Sequence, residues 1–214
     1  MTSLRLCFVG DSIVNGTGDA TMLGWSGRVC AAAADAGHDI THYDLGVRGD
    51  TSTLIRERWR AEATRRLPDA FKTALVFSFG INDCVHLDGV RRVAPETSLA
   101  NAQAILSEAR QWRPTLFIGP TPISGRKPAA QFYPGVKLAL DGHDVAALNR
   151  GLLEAAASVG VPALDLLTRL ETGAEWAAAI TRGDGVHPPA EGYALMADMI
   201  ASWPDWQALL TGAP

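Results

Sequence analysis

Leu4-Arg5-Leu6-Cys7-Phe8-Val9-Gly10-Asp11-Ser12-Ile13 is a short apolar run that breaks on a glycine and then presents two polar residues. The run has the length of a buried strand rather than a helix, and it ends in turn chemistry. Four further runs follow the same plan, at residues 40–45, 74–79, 115–118 and 161–166, each closing on Gly, Pro, Asp or Asn. Between them lie longer stretches with helical periodicity. Residues 24–36 are Ala-rich, and 51–66 set Leu54, Ile55 and Trp59 among charges. Residues 101–112 and 144–158 read the same way, and 189–203 form an expected last helix. This alternation predicts an α/β fold with a five-stranded, mostly parallel sheet covered by helices on both faces.

Nothing along the chain marks a second domain: no repeat, linker or low-complexity segment interrupts the 214 residues, so one domain over 1–214 is expected. With 47% hydrophobic residues the chain can build a core without disulfides or metals. The formal net charge of -4 argues against a nucleic-acid or anionic-membrane footprint and fits a small, roughly neutral substrate. Cys7, Cys30 and Cys84 are odd in number and irregularly spaced, which predicts free thiols in a reducing compartment. Residues 4–9 are too short for a signal-peptide core, and no segment reaches the roughly 20 apolar residues of a membrane span. A cytoplasmic location is expected. Two stretches, 83–96 and 120–142, are long for connections and follow strands whose carboxyl ends should carry the ligand site, so they are expected to shape a pocket.

The chemistry gathers at strand ends. Gly10 allows a sharp turn that lifts Ser12 to the carboxyl edge of the sheet, where a serine can attack a substrate, although taken alone Asp11 or Ser12 reads first as a helix cap. Near the other end, Gly183-Asp184-Gly185-Val186-His187-Pro188-Pro189 sets an acid and an imidazole three residues apart on a braced turn. A serine needs a neutral imidazole to take its proton, and the imidazole needs a carboxylate to fix its tautomer; His187 and Asp184 supply these. The plainer alternative is a turn aspartate and a surface histidine before a proline-started helix. Donors for the negative oxygen of a tetrahedral intermediate are offered by the N–H groups of Ser12 and Gly49 and the amide of Asn82, the last two also readable as ordinary turn residues.

Taken in order, Gly10-Asp11-Ser12-Ile13, Gly49-Asp50-Thr51, Gly80-Ile81-Asn82-Asp83 and Asp184-Gly185-Val186-His187-Pro188 resemble four sequence blocks of the SGNH hydrolases, also called GDSL esterases and lipases. Ile13 stands where leucine is commoner. Asp44 stands where asparagine often precedes the second block, which bears on support of the Gly49 loop. The resemblance spans nearly the whole chain. It implies a flavodoxin-like three-layer α/β/α sandwich, acyl transfer through an acyl-serine at Ser12, and neither metal nor organic cofactor. The activity implied is hydrolysis of carboxylic esters, with acyl transfer to another acceptor, thioester cleavage and removal of sugar O-acetyl groups as alternatives on the same site.

Three rival readings find less support in the residues. A metal phosphoesterase lacks its materials: the first strand has no Asp-x-His, and His38, His42, His86 and His143 are scattered without ligand spacing, His38 and His42 being expected to flank the second strand. A nucleotide-binding loop fails on spacing, because Gly16-Thr17-Gly18-Asp19-Ala20-Thr21 has no third glycine and no Lys-Ser or Lys-Thr; these glycines are expected to let the loop pass close beside the nucleophile. A non-catalytic binding protein on the same fold is opposed by the intact blocks. For the substrate, Val14, Val85, Leu87, Val186, Phe132 and Tyr133 are candidates for a modest apolar acyl site favouring short acyl esters, with ordinary packing as the alternative. Arg48, Arg91, Arg92, Arg126 and Lys127 are candidates for recognising an anionic or polar ester, with solvated surface charge as the alternative. Trp25 is expected to be a packing anchor between helix and sheet.

Overall fold

A computed structural model of the chain describes residues 3–124 and 135–212. In chain order the elements are β1 (Ser3–Gly10), α1 (Gly24–Asp35), β2 (Asp39–Gly46), α2 (Ser52–Thr64), β3 (Lys72–Ser78), a 3-10 turn (Ile81–Cys84), β4 (His86–Leu87), β5 (Val90–Arg91), α3 (Pro95–Trp112) and β6 (Thr115–Ile118). There follow β7 (Leu138–Ala139), α4 (Gly142–Ser158), β8 (Ala163–Leu164), α5 (Leu166–Glu171), α6 (Ala174–Arg182), α7 (Ala190–Ala201) and α8 (Pro204–Thr211).

The five expected strands form one sheet in the order β2-β1-β3-β6-β8, and every pairing in it is parallel. Counted within the sheet this is the 2-1-3-4-5 order of flavodoxin-like folds, in which the chain reverses direction across the sheet between β1 and β3. Crossover helices must lie on the faces of a parallel sheet. Here α1 packs with α7, and α3 packs with α2 and α4. The central strands are accordingly apolar throughout: Leu6, Cys7, Phe8 and Val9 in β1 and Ala74, Leu75, Val76 and Phe77 in β3 are fully buried. Trp25 is buried edge-on to Phe8, with ring centroids 5.4 Å apart, which makes it the expected anchor of α1 on the sheet.

Register brings the carboxyl ends level. Gly10 pairs with Gly46 of β2 and with Ser78 of β3, so the turns after three neighbouring strands leave the sheet side by side. Gly10 is obligatory here for a steric reason, since a Cβ would stand 2.0 Å from the carbonyl oxygen of Ser78.

Several expectations are corrected. The helix expected at 101–112 begins at Pro95, because proline suits a first helical turn and Ser98, Asn101 and Ala102 already lie on its buried face. Residues 189–203 do not close the chain: α8 follows, entered through Pro204 and stopped by Gly212 in a left-handed conformation. Leu54 is exposed while Ile55 and Trp59 carry the packing of α2. His42 lies inside β2 instead of beside it, its Nε2 3.0 Å from the hydroxyl of Ser26. The two long connections contain structure of their own, a three-stranded antiparallel sheet in the order β5-β4-β7. Its hairpin turns on Asp88 and Gly89, both at positive φ, a turn that Asp-Gly between two strand residues favours strongly.

Candidate active site

The turn after β1 carries Ser12, which is buried. Its hydroxyl lies 2.7 Å from Nε2 of His187. On the other side of the ring, Nδ1 lies 2.7 Å from Oδ2 of Asp184. The second carboxylate oxygen of Asp184 accepts the backbone N–H groups of Val186 and His187, at 2.9 and 2.7 Å. The acid thus holds the loop that carries the imidazole as well as the imidazole itself. With Nδ1–H donating to Asp184, the Nε2 lone pair faces the serine, the arrangement a general base needs. Partial burial works against the Asp184 charge, but the hydrogen bonds from the His187 ring and backbone prevail and hold the carboxyl well below the usual range.

Several elements converge to hold this chain of contacts. Tyr193 of α7 donates its hydroxyl to the carbonyl of Thr17 at 2.8 Å, tying the loop after Ser12 to the helix that follows His187. Gly18, at φ +93°, passes so near His187 that a Cβ would lie 3.3 Å from the histidine Cβ. Asp19 accepts from the backbone N–H groups of Thr21 and Gly24 and pairs with Arg28, so the rest of the loop is closed on itself; these contacts outweigh burial and hold its carboxyl at about 2. The turn at 183–188 is met from the β6 side by Ser124, whose N–H donates to the carbonyl of Gly185.

Gly49 and Asn82 stand on the adjacent turns. The Gly49 loop is anchored to the nucleophile turn by the N–H of Val47, which donates to the carbonyl of Gly10 at 3.0 Å. Gly49 itself sits at φ +84° with open space where a Cβ would be, so its backbone conformation and not crowding calls for glycine. Asp44 accepts the N–H of Gly46 at 2.7 Å, so the aspartate closes the end of β2 directly. Asn82 donates its amide to Asp11 at 3.2 Å.

Arg58, which sequence reasoning passed over, and Asp11, which it reads only as a cap, are part of this construction. Arg58 of α2 donates to the carbonyls of Gly10 and Leu45 at 2.8 and 3.0 Å, and to Asp50 and Glu62 at 2.6 and 2.8 Å. One side chain thereby joins the ends of β1 and β2 to the residue after Gly49. Asp11 is almost wholly buried and takes the N–H of Ile13 on Oδ1. Of the acyl-site candidates, Val14 and Val85 belong to the core, and Leu87 and Val186 are half-buried against it; Phe132 and Tyr133 lie outside the described residues. Arg91 is engaged by the carbonyls of Asp83 and Val93, by Cys84 and by Asp144, so it serves the hairpin rather than a ligand. Arg48 is exposed, Arg92 is half-buried, and Arg126 and Lys127 lie outside the described residues. Among the described residues no group of three or more His, Cys, Asp or Glu is placed to hold a metal ion, and no helix is long and apolar enough to cross a membrane.

The model of the GDSL-like lipase/acylhydrolase family matches residues 8–195. No curated protein matches the sequence. Among solved structures, a lipase/acylhydrolase from Enterococcus faecalis is similar with a TM-score of 0.72 and 21% identity, covering 94% of each chain. TesA gives 0.69 and 23%, over 96% of this chain and 99% of its own. An acetyl-xylooligosaccharide esterase from Geobacillus, solved as a mutant, gives 0.70 and 19%, over 96% and 97%. At these identities the likeness shows the fold.

Proposed function

Because the chain belongs to the GDSL-like lipase/acylhydrolase family, we propose that it is a serine ester hydrolase in which one domain spanning the chain supplies every catalytic group. The observation that carries this reading is the unbroken chain of hydrogen bonds from Ser12 through His187 to Asp184. Ser12 Oγ attacks the ester carbonyl carbon while its proton passes to Nε2 of His187, and Asp184 stabilises the imidazolium that results. The carbonyl oxygen becomes negative and is held by the N–H groups of Ser12 and Gly49 and the amide of Asn82. The C–O bond to the alcohol breaks, and His187 returns the proton to the departing oxygen, leaving an acyl-serine. Water then attacks the acyl carbon, its proton going to His187 and on to Ser12 Oγ as the carboxylic acid leaves. No metal or organic cofactor enters any step.

Short acyl groups are the proposed substrates. Val14 and Val85 are packed into the core, so neither offers surface to a long acyl chain. Acetyl esters, including acetylated sugars, are the first to assay, since one neighbour of the same fold is named for an acetylated oligosaccharide. The test is hydrolysis of p-nitrophenyl esters of increasing acyl length by the protein and by Ser12→Ala. Turnover highest on acetate or butyrate and abolished by Ser12→Ala is expected. Turnover that survives Ser12→Ala would overturn the assignment of the nucleophile, and a preference for long chains would overturn that of the substrate.

A further inference from the structure

We propose that Asp11 is a positioning residue for the oxyanion site, acting through Asn82. The inference rests on the reading of Asn82 as an oxyanion donor. Asp11 stands between Gly10 and Ser12 with 2% of its surface exposed and, among the described residues, pairs with no Arg or Lys. Its two acceptors are used separately: Oδ1 takes the N–H of Ile13 at 2.9 Å and Oδ2 takes Nδ2 of Asn82 at 3.2 Å. Burial pushes the carboxyl up to about 6, with Asp83 and Asp50 adding to the shift and the Ile13 N–H and His187 opposing it. A carboxylate buried without a cation is costly, and an asparagine at position 11 could accept from Ile13 equally well.

What asparagine could not do is refuse a carbonyl. A carboxylate accepts only, so the group facing it must be the nitrogen of the Asn82 amide and never its oxygen. That nitrogen has two hydrogens. One is engaged by Asp11, and among the described residues nothing accepts the other, which is left for the ester oxygen. With the amide reversed, Oδ1 would meet both the Asp11 carboxylate and the developing oxyanion. The negative charge of Asp11 also repels that oxyanion, so for Asp11 to help this site the orientation of the donor must outweigh the repulsion.

The experiment compares the protein with D11N, N82A and D11N/N82A, measuring kcat and KM on a short p-nitrophenyl ester and Tm at pH 7. N82A is expected to lower kcat about 10²–10³-fold. D11N should lower kcat roughly tenfold or more with KM within about twofold and Tm unchanged or raised, and it should add nothing in the N82A background. A D11N loss that persists undiminished beside N82A would mean that Asp11 acts elsewhere, for instance on the His187 charge, and would overturn the proposal alone. So would full activity of D11N, or a loss accompanied by a lowered Tm. Full activity of N82A would overturn the reading of Asn82 itself.

Discussion

A serine hydroxyl is a weak nucleophile until a base takes its proton, so the weight of the account at the scale of single residues falls on how His187 is held. Asp184 holds it twice, through the ring and through the backbone. Asp184→Asn keeps the shape but offers an amide that can present its N–H to Nδ1, favouring the wrong tautomer. A loss of kcat of roughly 10²–10⁴-fold with little change in KM is expected from steady-state kinetics. Since the Asp184 carboxyl is held below its usual value, its charge persists as pH falls well into acid, and acid loss of activity does not originate in Asp184. Asp11 carries the opposite sign. Its folded value of about 6 lies above the ordinary 3.8, so the stability it contributes is present below about pH 4 and lost as pH rises through about 6. Asp11→Asn is therefore expected to raise stability at pH 7 in urea denaturation, an advantage that vanishes below about pH 4.

Secondary-structure elements place these residues, and the level ends of β1, β2 and β3 are what set Ser12, Gly49 and Asn82 on neighbouring turns. Arg58 binds that edge together. Arg58→Met is expected to cost about 3–5 kcal/mol in urea denaturation, because Asp50 would keep a buried charge and the carbonyls of Gly10 and Leu45 would lose their donor. Adding Asp50→Asn should recover part of the loss; no recovery would show that the ion pair is not the origin. This edge was legible in the chain only in part. Ser12, Gly49 and Asn82 stood out at strand ends, and Asp184 and His187 on a braced turn before a helix, because acyl transfer needs those residue types together, and the structure brings Ser12, His187 and Asp184 into one hydrogen-bonded chain. Arg58 did not, because its link to Gly10 spans 48 positions and exists only once β1 and β2 are in register. Asp11 read as a cap because its bond to Ile13 is local, while the bond that distinguishes it reaches 71 positions to Asn82. The five strands were legible from apolar runs bounded by turn residues. Short α5, α6 and α8 were not, although Trp176 and Ile180 stand one helical turn apart on the buried face of α6. Asp88-Gly89 is a readable hairpin signal inside the long connection at 83–96.

At the scale of the whole molecule, the core closes over groups that would otherwise react or titrate. Cys7, Cys30 and Cys84 are free and buried, and burial pushes each thiol up to about 12. No labelling of the native protein by a thiol reagent at pH 8 is expected, with three thiols released in denaturant. Half-buried His42 has its value lowered by desolvation, so the unfolded chain protonates first and stability falls as pH drops below 6.5. Asp11 offsets that fall between about pH 6 and 4, so Asp11→Asn should lose stability more steeply over this range than the parent protein.

The central claim is that Ser12 is made nucleophilic by His187, and covalent capture tests it most directly. The protein is incubated with an aryl phosphonate or sulfonyl fluoride, in parallel with Ser12→Ala and His187→Ala, and intact mass, the labelled peptide and p-nitrophenyl acetate hydrolysis are followed together. The account predicts one adduct per chain, on the peptide containing Ser12, with activity lost in step with labelling, none on Ser12→Ala and labelling slowed by orders of magnitude in His187→Ala. Labelling at another residue, or hydrolysis that continues after Ser12 is fully modified, would contradict it.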